Sequence, residues 1–114
     1  MDKAEVKERW ISALRSGDYQ QAFGALHNRD GAMCCLGVLC DVLGAEWVPG
    51  NAPGGSMHEG DYVVKGYPTL NAFPPHEYME KAGLSDELAI DLYTLNDSEK
   101  CSFEEIADVI EEKL

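Results

Sequence analysis

Ala32-Met33-Cys34-Cys35-Leu36-Gly37-Val38-Leu39-Cys40-Asp41-Val42-Leu43 is a run with almost no polar face. A segment apolar on every side has to be buried whatever its conformation. Short apolar runs do not separate strand from helix by periodicity alone. The reading adopted is a strand up to about Cys35, then a core helix ending at Gly44. Just upstream, Asn28-Arg29-Asp30-Gly31 is a turn signal, and Tyr19 to Leu26 before it reads as a second short strand. A small antiparallel hairpin leading into a buried helix is therefore expected at the centre of the chain.

Toward the N-terminus, Lys3 to Arg15 reads as a helix. Asp2 is its cap, and Glu5 lies three positions further on, as a capping box prefers. Val6, Trp10, Ile11, Ala13 and Leu14 share one face, and Gly17 is placed to stop the helix in the left-handed region. Lys7 projects into the apolar arc, either with its stem along apolar surface or as a cation aimed at an anionic ligand. On the other side of the central run, residues 48–61 are dense in glycine and proline and read as an irregular loop. Tyr62-Val63-Val64 and Tyr67-Pro68-Thr69-Leu70 read as short strands around Lys65-Gly66. The last third is helical. Pro74-Pro75 opens a short helix closed by Gly83. Ser85 caps a second, with Leu88, Leu92 and Leu95 as its stripe and a break at Asn96-Asp97-Ser98. Ser102-Phe103-Glu104-Glu105 is a full capping box opening a third, whose Phe103, Ile106, Ala107, Ile110 and Leu114 face one way. The expected class is α+β: a mostly helical, compact single domain over residues 1–114 with a small antiparallel sheet.

At 114 residues the chain has room for one core. No apolar run approaches the ~20 residues of a membrane span. Met1-Asp2-Lys3-Ala4-Glu5 is charged rather than signal-like, so a cytoplasmic location and free thiols are expected. The net charge is −12, unevenly spread. Residues 1–76 hold nine acids and six bases; residues 77–114 hold twelve acids and three bases. Such a C-terminal third repels nucleic acid and attracts basic surfaces.

Three blocks carry a family resemblance. Trp10 with Ala13-Leu14-Arg15-Ser16-Gly17, Tyr19 and Gln20 is the first. Cys34-Cys35-Leu36-Gly37-Val38-Leu39-Cys40-Asp41 is the second and most specific. Leu95-Asn96-Asp97 with Ser102-Phe103 and Ile106-Ala107-Asp108 is the third. In this order they resemble a family of small uncharacterised phage and prophage proteins, while residues 45–75 have no counterpart. The resemblance implies a phage origin, a place in the host-cell cytoplasm and an accessory role. By analogy with other small phage proteins, that role is counter-defence: binding a host protein or sequestering a nucleotide signal.

Candidate chemistry divides three ways. Trp10 and Tyr19, with Tyr62 and Tyr67, offer rings for stacking on a base. Arg15, with Lys7 and Arg29, offers cations for phosphate. Gln20 and Asn96, with Gln21, offer polar edges. Trp10, Arg15, Tyr19, Gln20 and Asn96 are the nominated ligand site, and a non-enzymatic protein that sequesters a small anionic, nucleotide-like ligand is the first expectation. An acidic interaction protein that blocks a basic, nucleic-acid-binding surface of a host protein is the second. A small cysteine- or zinc-dependent enzyme is the third, drawing on Cys34, Cys35, Cys40, Cys101 and His27, His58 or His76. The cysteine spacing lacks the paired C-x-x-C pattern, no phosphate-cradling glycine loop is present, and no pair of carboxylates stands out. No catalytic residue, metal ligand or cofactor is assigned. Asp41, the one acid in the apolar run, is expected to face water.

Overall fold

The computed structural model of the chain describes residues 1–50, 61–67 and 72–114. Among these described residues five helices and a two-stranded antiparallel sheet make an α+β domain. Helix α1 spans Lys3–Arg15, held at its start by the Asp2 carboxylate, which accepts from the Glu5 amide at 2.8 Å. Gly17 follows at φ +79°, the left-handed conformation that turns the chain away. Val6, Trp10, Ile11 and Leu14 are buried along one face, and Ala13 is half-buried.

Helix α2 spans Cys35–Val42 and is the centre of the core. Cys35, Leu36, Val38, Leu39 and Cys40 are all fully buried, as an all-round apolar helix must be. No strand leads into it. Residues 19–33 instead form an irregular segment in which Gln21 and His27 each make an isolated bridge to Met33. Its backbone is satisfied by single bonds, such as Ala22 N to Met33 O at 2.8 Å and Met33 N to Gln20 O at 2.9 Å. Gly24 at φ +88° bends the path, and the buried positions Ala22, Ala25 and Leu26 do not alternate as a strand requires. The Asn28 turn forms as expected: its side-chain oxygen accepts from the Asp30 and Ala32 amides, each at 3.0 Å.

The sheet lies elsewhere. Strand β1, Trp47–Pro49, pairs with β2, Tyr62–Val64, in the register Trp47 with Val64, Val48 with Val63 and Pro49 with Tyr62. The expected strand at residues 62–64 is present, while its partner begins just before, and runs into, what the glycine and proline content marked as loop. Lys65-Gly66 is a turn and Tyr67 is not in a strand; residues 51–60 of the expected loop and 68–70 of the expected strand lie outside the described residues.

Helices α3 (His76–Ala82), α4 (Asp86–Asp97) and α5 (Phe103–Lys113) complete the domain. Each begins as its capping residues dictate. Pro75 precedes α3, and Gly83 at φ +68° closes it. Ser85 accepts from the Leu88 amide at 3.1 Å to open α4. Ser102 and Glu105 cap α5 reciprocally, at 3.2 and 3.0 Å. Asn96 and Asp97 do not break α4 but form its last turn. The faces of α1 and α5 pack against each other, α2 packs beneath α1 and α4, and all join one core.

Candidate functional site

Two of the residues nominated for a ligand meet on one backbone unit inside the core. The Trp10 indole donates to the Cys35 carbonyl at 2.9 Å, and the Asn96 side-chain oxygen accepts from the Cys35 amide at 3.3 Å. Both side chains are fully buried. The first amides of a helix lack intrahelical partners, and Cys34, the residue before α2, supplies no side-chain cap. Asn96, from α4, takes that part across the core. Its remaining capacity is also used: Gln21 donates to its oxygen at 2.9 Å, and its amide donates to Ala22 O at 3.0 Å and to Asp97 at 2.7 Å. Gln21 donates further to the Cys101 carbonyl at 2.8 Å. The indole N–H and the Asn96 amide are thus both engaged inside the core.

The other nominated residues lie apart. Tyr19 donates to Asp41 at 2.5 Å, and the Trp47 indole donates to the other oxygen of the same carboxylate at 3.1 Å. Asp41 therefore does not simply face water: it ties the segment after α1 and the start of β1 to the end of α2. Burial, and then the hydrogen bond to Asp41, push the Tyr19 phenol up from 10.0 to about 12. Gln20 is exposed, beside the inward-facing Gln21. Arg15 bridges α1 to α5, with Asp108 at 2.6 Å and Glu111 at 2.8 Å. Those two acceptors raise its pKa further. Lys7, the cation in the apolar arc, donates to the Glu111 and Leu114 carbonyls at 3.1 and 2.9 Å. A cation there suits the negative end of the α5 dipole and satisfies carbonyls that have no helical partner.

The cysteines are free thiols. Burial drives the Cys34 thiol up from 9.0 to about 12 and raises Cys35 and Cys40 as well. A thiol held protonated at neutral pH is a poor nucleophile and a poor metal ligand. Among the described residues no group of three or more His, Cys, Asp or Glu side chains is arranged to hold a metal ion. His27 sits between the rings of Trp47 and Tyr62, at centroid distances of 4.9 and 4.8 Å, not beside a cysteine.

What faces outward is acid. Eleven of the twelve carboxylates in residues 77–114 are exposed and the twelfth, Asp97, is half-buried. Helix α4 carries four acids and no base. Two of the three bases in this region lie over rings, Lys81 above Tyr78 at 5.6 Å and Lys100 above Phe23 at 4.3 Å. Glu105 and Glu111 have structural partners, in the α5 cap and the Arg15 bridge. Within this surface lies a groove of about 300 Å³, lined by Phe73, Met79, Asp86, Ala89 and Ile90. Phe73 is braced by stacking on Tyr93 at 5.0 Å. The sequence reading of α4 followed its Leu88-Leu92-Leu95 stripe and passed over Ile90, an apolar residue two positions from Leu88 and so on the far side of the helix. That displacement was the available signal.

The described residues thus define an acidic, mainly helical α+β domain whose chemistry-bearing side chains are largely engaged in holding it together. The chain belongs to the family described as Domain of unknown function (DUF8296), whose model matches residues 1–114. No curated protein and no solved structure matches it. Among the described residues no helix is long and apolar enough to cross a membrane.

Proposed function

We propose that the protein is a non-enzymatic interaction protein whose acidic helical face occupies a basic surface of a partner protein, of the kind that otherwise meets nucleic acid. The observation that carries this reading is the surface of residues 77–114, where exposed carboxylates outnumber bases and two of the three bases are drawn onto aromatic rings. Fields of one sign steer an oppositely charged partner and speed its association. Sequestration of a nucleotide-like ligand draws less support, because Trp10 and Asn96 are buried with their polar groups satisfied and Arg15 is held by two acids. Cysteine chemistry draws less still, because burial keeps three of the four thiols protonated. The phage origin implied by the resemblance makes a host protein the natural partner.

The test is a pulldown from bacterial lysate with the wild-type chain and with a Glu99→Lys, Glu104→Lys, Glu112→Lys triple variant. These three carboxylates make no hydrogen bond or ion pair among the described residues, so their reversal leaves the internal network alone. The expected result is a basic partner, identified by mass spectrometry, that is retained at low salt, lost at high salt, lost with the variant and displaced by nucleic acid. Capture insensitive to both salt and charge reversal overturns the reading.

A further inference from the structure

We propose that the groove between α3 and α4 receives one large apolar side chain from a lysine- or arginine-rich helical segment of the partner. The inference rests on the interaction reading above and adds to it the place of contact and the chemistry of the occupant. Ile90 is 55% exposed, unusual for so large an aliphatic side chain in the middle of a helix. It is not a stray apolar residue, because it lines the groove together with Phe73 and with buried Met79 and Ala89. A volume of about 300 Å³ has room for a leucine, methionine or phenylalanine side chain, while a lining of apolar groups and one carboxylate offers the phosphates of a nucleotide no cation. The thioether of Met79 lets the floor adapt to any of these shapes.

Charge decides the occupant. Asp86 lines the groove, and elsewhere on the same helix, which carries no base, Glu87 and Asp91 stand three residues before and one residue after Ile90. All three are exposed. A second copy of this chain, with a net charge of −12, would bring like charge to the same rim. A helix with apolar anchors at i, i+3 or i+4 and cations between them meets both features at once: the anchor fills the groove and the cations reach the rim.

The test uses the full-length chain labelled with ¹⁵N and two helical peptides of equal charge, one built of leucine and lysine and the other with every leucine replaced by alanine. The leucine peptide is expected to bind about tenfold tighter, the worth of one buried aliphatic side chain, and to shift the amides of Met79, Ala89 and Ile90. Ile90→Ser, at an exposed position, is expected to fold and to abolish the tenfold difference without changing binding of the alanine peptide. Equal binding of the two peptides, or shifts confined to α5, overturns the groove assignment but leaves the interaction reading standing. Failure of both peptides to bind overturns both. A wild-type dimer that Ile90→Ser converts to monomer gives the groove to a second copy and overturns the proposal.

Discussion

Asn96 shows how much one polar side chain can hold. It accepts from Gln21 and the Cys35 amide and donates to Ala22 and Asp97, so α4, α2 and the residue 19–33 segment meet on one amide. Asn96→Ala is expected to destabilise the protein by about 3 kcal/mol, because it strands a buried helix-terminal amide, a carbonyl and part of Gln21. Urea unfolding of the variant measures this, and a loss below about 1 kcal/mol would show that water or Gln21 replaces it. The sequence marked Asn96 as a residue of interest and offered it to a ligand, whereas the structure engages its side chain within the core. A polar side chain beside a helix end looks the same whether it reads a ligand or caps another helix. Only the path of α2 across α4 distinguishes the two. Asp41 was misread for the same reason, since its two donors lie twenty-two residues before it and six after.

At the scale of elements, the close crossing of the residue 19–33 segment over α2 governs the packing. A Cβ at Gly37 would lie 2.8 Å from the Leu26 carbonyl carbon and nearer still to its oxygen. Alanine favours a helix over glycine by about 1 kcal/mol. Backbone against backbone cannot give way as a flexible side chain can, so the clash wins. Gly37→Ala is expected to cost about 3 kcal/mol net, read as a fall in the urea midpoint, and a stabilised variant would refute the crossing. The helices were legible because their ends carry local signals: Asp2, Ser85 and Ser102 as caps, Gly17 and Gly83 as stops. Of the strands only Tyr62–Val64 was. Tyr19 to Leu26 has the composition of a strand but lacks a continuous partner, and Trp47–Pro49 lacks the composition but finds β2. Pairing is a tertiary property, and three-residue strands leave too little pattern to betray it.

For the molecule as a whole, buried protonated groups make stability depend on alkaline pH. Cys34 rises from 9.0 to about 12 and Tyr19 from 10.0 to about 12, both chiefly through burial, and Cys35 moves the same way. A group whose pKa is raised by folding favours the native state below its unfolded pKa and loses that contribution as pH climbs to the folded value. Stability is therefore expected to hold up to about pH 9 and to fall between about pH 9 and 12. Cys34→Ala should flatten the start of that fall, and an unchanged profile would exclude the thiol as its source. The acidic balance of the C-terminal third was readable from composition alone, whereas the groove was not, because Phe73, Met79 and Ile90 converge only after α3 and α4 have turned about Gly83. The packing of α1 on α5 has one more consequence, for the order of events at the ribosome. Val6, Trp10, Ile11 and Leu14 are synthesised about a hundred residues before Ile106 and Ile110, on the helix that covers them. Until that second helix clears the exit tunnel, α1 has only α2 and α3 to pack against, and the part of its face that meets α5 stays uncovered. Between those two points the nascent domain offers part of an apolar helix face to hydrophobic-segment chaperones, and it closes only after α5 has emerged.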